Sequence, residues 1–261
     1  MPPHQAHRGK HPRDGLLFAP HWIPRLRDAV RDLSFLLTQR YAETAALKLV
    51  GDHYQLTVRH RRAALRASCS DQSLERRRNH KVPVSALHAA ALVMDGYNLL
   101  ITAESILSEG ILLRGRDGCV RDMASVHGSY RQVAETEAAI RLIGETLEAT
   151  GAAPVSWYFD RPVSNSGRLK ETMAGIAEAS GWIWDIRLIN EVDKTVAAAD
   201  AVAVSSDGWI LDRADRWCDL TQLLLEQAGA AGRVVDLRHE PQRLCQREEP
   251  NDAQIAGTMR D

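Results

Sequence analysis

Three apolar runs of this chain close on an aspartate: "ALVM" on Asp95, "VSWYF" on Asp160 and "AVAVSS" on Asp207. A carboxylate at the end of a buried strand carries its charge out of the core. Where strands run parallel, their C-terminal ends share one edge, so acids far apart in sequence converge there. Convergent carboxylates repel unless a cation sits among them. Mg²⁺ or Mn²⁺ suits such oxygen ligands, keeps several waters and is commonly held by one or two carboxylates together with substrate phosphates. The chemistry open to such a site is in-line attack of a metal-activated water on a phosphate ester, which requires no nucleophilic side chain. Asp193, in "NEVDKTVAAA", is placed as a further carboxylate at a helix start. In "MDGYN", Gly96 would permit a tight turn and Asn98 would orient Asp95 or a metal-bound water; Glu104, one to two helical turns on, would look back at the site. Aspartate is also common in turns and helix caps. One such residue reads as structural, whereas three in matching positions favour a site.

The elements that would position these acids follow from composition. From residue 84 onward, "LHAAALVMD", "VSWYFD", "WIWDIRLI" and "AVAVSSD" are short runs rich in β-branched and aromatic residues, separated by stretches of helical composition. Strand and helix in alternation predict an α/β domain with a mainly parallel sheet covered on both faces. Helices are expected over 97–107, 135–150, 167–179, 193–199 and near 220–228. "GILLRGRDGCVRDMASVHGSY" reads as a hairpin or a long loop.

Ahead of this domain, residues 21–82 read as a small, mostly helical module. Leu26, Val30, Leu33, Leu36 and Leu37 recur at steps of three and four, a second helix covers 42–50, "YQLTV" reads as a short strand and "RHRRAALRA" as a helix. Residues 1–20 and 239–261 have the composition of flexible tails, leaving 83–238 as the α/β domain. His4, His7 and His11 have a helical ligand spacing, but Pro2, Pro3 and Gly9 argue against a helix to carry them.

Between residues 59 and 81, Arg59, Arg61, Arg62, Arg66, Arg76, Arg77, Arg78 and Lys81 face only Asp71 and Glu75. Contact with a nucleic-acid backbone and a plain solvated helix face both fit this stretch. Arg121 and His127, in "RDMASVHGSYR", are candidates for phosphate contact or proton transfer, and Asp122 is a similar case. Ser164 and Ser166, in "SNSG", are placed to cap the following helix, whose N-terminus would suit a phosphate.

A formal net charge of −1 excludes a uniformly basic protein, so any nucleic-acid binding must be local. With 44% hydrophobic and 26% charged residues the chain is globular rather than disordered. Its four cysteines form no CxxC pair, which fits reduced thiols in a cytoplasm. The N-terminus lacks the apolar core of a secretory signal, and no apolar run is long enough for a membrane span. GxSxG, GxxxxGK[ST] and GxGxxG are absent, which removes serine hydrolases of that type, P-loop enzymes and dinucleotide sites.

"MDGYNLLIT", "FDRPVSNSG" and "AVAVSSDGWIL" resemble the motifs of PIN-like nucleases of the NYN branch, and more closely a prokaryotic family with a helical N-terminal domain, to which "RDLSFLLTQRY" and "ALKLVGDHYQLTVRHRRAALR" are also similar. The likeness spans about residues 25–225. It implies a three-layer α/β/α PIN-like domain whose acids bind Mg²⁺ or Mn²⁺ and hydrolyse RNA. Matched motif by motif, Asp95, Asp193 and Asp207 would be the metal-binding aspartates, Asn98 the companion of Asp95, and Asp160 the acid of the "FD" motif. NYN nucleases often carry a second acid two residues after the "SSD" aspartate; Trp209 stands there in this chain. The expectation is a metal-dependent ribonuclease, with a homo-oligomer left open. A non-catalytic RNA-binding scaffold or a small-molecule phosphoesterase on the same fold are the alternatives.

Overall fold

The computed structural model describes residues 7–9, 11–124 and 130–238. Its centre is a five-stranded, wholly parallel sheet built from β1 (Leu92–Asp95), β4 (Val155–Asp160), β5 (Trp184–Ile189), β6 (Val202–Val204) and β7 (Trp217–Cys218), in the order β5-β4-β1-β6-β7. Side chains alternate across a strand, so a sheet buried on both faces needs apolar residues at every position. The central strands β1 and β6 are buried throughout and apolar up to Asp95, whereas β5, at the sheet edge, exposes Asp185 and Arg187. Leu92 and Met94 of β1 join Val202 and Val204 of β6 in one core, with α6 (Gly96–Leu107), α7 (Thr136–Thr150), α8 (Ser166–Ser180) and α11 (Thr221–Gln227) packed on it. Val93 and Ala203 point the other way, into a smaller core shared with α9 (Val192–Ala197) and α10 (Gly208–Leu211).

Local chemistry fixes the element ends. Gly151 (φ 66°) and Gly181 (φ 74°) take the left-handed conformation that terminates α7 and α8. Gly96 is required for space: a Cβ there would lie 2.4 Å from the Phe159 ring. The five expected helices of this domain are present within one or two residues of their predicted ends.

The N-terminal part is helical: α1 (Asp14–Leu17), α2 (Ile23–Thr38), α3 (Glu43–His53), α4 (Val58–Ala67) and α5 (Asp71–His80). Thr57 and Ser70 cap α4 and α5, accepting from the backbone N–H groups of His60 and Ser73. The stripe on α2 buries Leu26, Val30 and Leu33 fully. Two expectations fail. "YQLTV" is the turn between α3 and α4, because Leu56 closes it through its N–H to the Gly51 carbonyl (2.8 Å) and Thr57 is a cap rather than a strand residue. Part of the expected N-terminal tail is packed: Asp14 forms a two-pronged ion pair with Arg59, and Leu17 and Phe18 are buried in the helical core.

A second sheet stitches the two parts together. The "GILLRGRDGCVRD" insertion is an antiparallel hairpin of β2 (Leu112–Arg114) and β3 (Val120–Asp122), and β8 (Val234–Asp236) pairs parallel to β2. Leu112 belongs to the large α/β core, while its neighbour Leu113, with Met123 and Leu237, completes the helical core. Among the described residues no helix is long and apolar enough to cross a membrane.

Candidate active site

Strand order reverses at β1: the chain builds outward through β4 and β5, then returns to add β6 on the opposite side. In an open parallel sheet the crevice at such a reversal, beyond the C-terminal strand ends, is where ligands bind. Asp95 ends β1 at that crevice, and Ser205-Ser206-Asp207 follow β6 on its other wall. Hydrogen bonds cross it. The Ser205 hydroxyl donates to Asp95 Oδ2 (2.8 Å), while the backbone N–H and hydroxyl of Ser206 donate to Asn98 Oδ1 (2.9 and 3.0 Å). The Asp207 N–H donates to Ser205 Oγ (2.9 Å). Asn98 therefore orients the β6 turn rather than Asp95 directly through its side chain. Asp207 also caps α10, its Oδ1 accepting from the N–H groups of Trp209 (2.8 Å) and Ile210 (3.4 Å).

Asp95, Asn98, Asp193 and Asp207 line one cavity of about 240 Å³, joined by Asp122, Tyr97 and Arg66. Burial pushes the Asp95 carboxyl up to about 7, and the charges of Asp207 and Asp193 add to it against the pull of Ser205 and the Asn98 N–H. Asp193 is raised as well, by burial and then by Asp207 and Asp160. Asp160 is raised by burial, opposed by the Val192 N–H. It stands beside the cavity, felt through Asp193, and does not line it.

Tyr97 is 8% exposed, yet its hydroxyl has no hydrogen-bond partner among the described residues. Burial and Asp160 push this phenol up to about 12, so at neutral pH it is a donor. A buried O–H without a partner is costly. Among the described residues no three His, Cys, Asp or Glu side chains form a ready ligand shell. The donor set is nevertheless all oxygen. It fits a hard divalent ion that retains part of its water and reaches carboxylates across that water. The residues that would hold such an ion are Asp95, Asp193 and Asp207.

Other expected site residues have different work. Glu104 faces away from the cavity: it is fully buried and accepts from Arg8 (2.6 Å), Tyr130 (2.5 Å) and Thr136 (2.6 Å), because its turn of α6 points into the junction with the N-terminal segment. Arg77 and Arg121 are buried in an ion-pair network, not presented to a ligand. Arg121 grips Asp117 with both terminal nitrogens (2.9 and 2.6 Å), and Arg77 binds Asp117 and Asp212 (2.6 Å each). Burial alone would raise Asp117, but Arg121 and Arg77 prevail and hold its carboxyl well below the ordinary range. The same two guanidiniums donate to the carbonyls of Ser206 (2.7 Å) and Gly208 (3.2 Å), the residues on either side of Asp207. Both are positioning residues for that acid.

Arg59 pairs with Asp14, Arg61 with Asp52 (2.7 Å), and Arg76 binds the Arg213 carbonyl (3.1 Å). Arg62 is lowered by burial and by its neighbours Arg66 and Arg59. Arg78 is exposed on α5 and lines neither of the cavities beside Asp207. Only Arg66 of the basic stretch reaches the acidic cavity. Ser166 donates to the Arg161 carbonyl (3.5 Å) instead of capping α8, which starts after Asn165 in a left-handed conformation, and Ser164 is exposed away from the cavity. His127 lies outside the described residues. Sequence reasoning missed the orphaned Tyr97 hydroxyl, for which the motif gives no signal. Asp122, a candidate with Arg121 and His127, is brought to the cavity by the hairpin.

The profile of the family described as "Domain of unknown function (DUF5616)" matches residues 84–223, more than half of the 261-residue chain. The chain belongs to the DUF5616 family. The DUF5616 region contains all four aspartates that line the cavity. Residues 25–80, which supply Arg66, match the family described as "Protein of unknown function (DUF434)". An uncharacterized protein of Methanocaldococcus jannaschii, MJ0935, is 24% identical over 188 residues, covering 70% of this chain and 90% of that protein. No solved structure matches.

Proposed function

We propose that this DUF5616 chain is a metal-dependent nuclease of PIN-like, NYN type that hydrolyses RNA phosphodiesters. One observation carries the reading: Asp95, Asp193 and Asp207, from three distant segments, line one cavity at the strand-order reversal, where Asp207 and Asp193 help push Asp95 up to about 7. Acids held together against their own repulsion are suited to a divalent cation.

A bound Mg²⁺ or Mn²⁺ would supply an activated water and charge stabilisation at the phosphoryl oxygens. The protein's own groups do the rest. Ser205 and the Asn98 N–H hold Asp95 in one orientation at the end of β1. Asn98 fixes the turn that carries Asp207, and Arg121 and Arg77 brace that turn from behind. Arg66 at the rim attracts the anion.

Incubating the protein with single-stranded RNA and Mn²⁺ tests the reading. Cleavage is expected in Mn²⁺ and none in EDTA, with Asp95→Asn and Asp207→Asn each lowering the rate at least about 100-fold. Cleavage by a doubly substituted protein at the wild-type rate would defeat the assignment.

A further inference from the structure

Beyond Asp207 lies a second cavity of about 500 Å³, between the helical module and α10, which shares Arg66, Asn98 and Asp207 with the acidic one. Its wall carries Trp209, a large aromatic side chain left 39% exposed on a helix whose neighbours Ile210 and Leu211 are buried. The Arg213 guanidinium sits over the ring, 4.0 Å from its centroid. The Trp209 N–H is bound to Asp207 (2.8 Å), so the ring is tied to the acidic cavity through one residue of backbone. Charge in this cleft is also unevenly used. Arg77 and Arg121 are neutralised by Asp117 and Asp212, whereas among the described residues the hydrogen bonds of Arg66 and Arg213 go to backbone carbonyls, of Ala124 (2.9 Å) and Trp209 (3.1 Å).

An exposed indole backed by a cation, beside a second cation that has no carboxylate partner among the described residues, is the arrangement that recognises a nucleobase and its phosphate. We propose that this cleft is a subsite for one nucleotide of a single strand, its base stacked on Trp209 and its phosphate on Arg66, next to the phosphate placed at Asp95 and Asp207. The subsite rests on the nuclease reading. Stacking on an aromatic face tolerates any base, so the subsite would select for unpaired strands rather than for sequence.

The test is fluorescence anisotropy with labelled single-stranded oligouridine and the full-length protein in EDTA, so that binding is read without cleavage. Trp209→Ala is expected to weaken binding roughly 5- to 100-fold and Trp209→Phe by less than about fivefold, the range for loss or retention of one base stack. An abasic strand of equal length should bind wild type and Trp209→Ala alike. Equal affinity of Trp209→Ala and wild type for oligouridine would overturn the subsite, as would an equal loss on the abasic strand. The nuclease reading fails separately: Trp209-dependent binding without cleavage in Mn²⁺ removes the reaction and leaves the subsite, whereas cleavage without Trp209-dependent binding removes only the subsite.

Discussion

At the residue scale the account turns on a carboxylate whose folded environment disfavours its charge. Asp95 is raised by burial, with Asp207 and Asp193 adding, from the ordinary 3.8 to about 7. The fold therefore prefers the protonated acid, and the ionised form destabilises it increasingly as pH climbs from about 4 to about 7. In EDTA at pH 8, Asp95→Asn should raise Tm by roughly 3–8 °C, because the amide still accepts from Ser205 and carries no charge. A lower Tm would mean that the repulsion is absent. Tyr97→Phe makes a second residue-level case. Removing this buried hydroxyl, which has no partner among the described residues, should leave Tm unchanged or slightly higher. A clearly lower Tm would show that the hydroxyl makes a bond on which the fold depends.

At the scale of elements, the turn after β6 is held by charges that come from α5 and the β2–β3 hairpin. The Asp117 side chain is only 2% exposed and bridges Arg77 and Arg121. Its depressed carboxyl contributes stability that is complete above the unfolded value near pH 4 and is lost as pH falls below it. Asp117→Asn leaves two buried guanidiniums facing each other and should cost roughly 3–5 kcal/mol at pH 7, with a shallower decline of stability below pH 4 than in wild type; urea melts across pH check both. The strand ends were legible in the sequence because a charged aspartate after an apolar run marks where a buried strand leaves the core, whether the acid then caps a helix, as Asp207 does, or faces the cavity. The arginines of α5 were not. A run of cations looks the same whether it faces water or partners such as Asp117, Asp212 and Gly208, which lie 40, 135 and 131 residues away. β7 and β8, of two and three residues, are too short to show a period.

At the scale of the whole molecule, the helical module and the α/β domain are not separable bodies. Leu113 and Met123 of the hairpin and Leu237 after β8 complete the helical core, and Arg8 reaches back to Glu104 inside α6. Sequence composition made residues 1–20 look like a tail because their apolar residues are few; Asp14, Leu17 and Phe18 find their partners only once Arg59 and α2 are folded beside them. A chain reduced to residues 83–238 should therefore expose Leu113, Met123 and Leu237 and aggregate or melt well below the full protein, as scanning calorimetry and light scattering would report. The same joint makes the cleft: one wall is the α/β domain at Asp207 and the other is α2 and α4 at Leu37, Leu65 and Arg66. The central claim is that acids from distant segments are brought together to hold one divalent ion. A calorimetric titration of the metal-free protein with Mn²⁺ at pH 8 tests it most directly. Saturable binding that is lost in the Asp95→Asn, Asp207→Asn protein is the predicted result. Absence of binding by the wild type at millimolar Mn²⁺, or identical binding by the double variant, would contradict it.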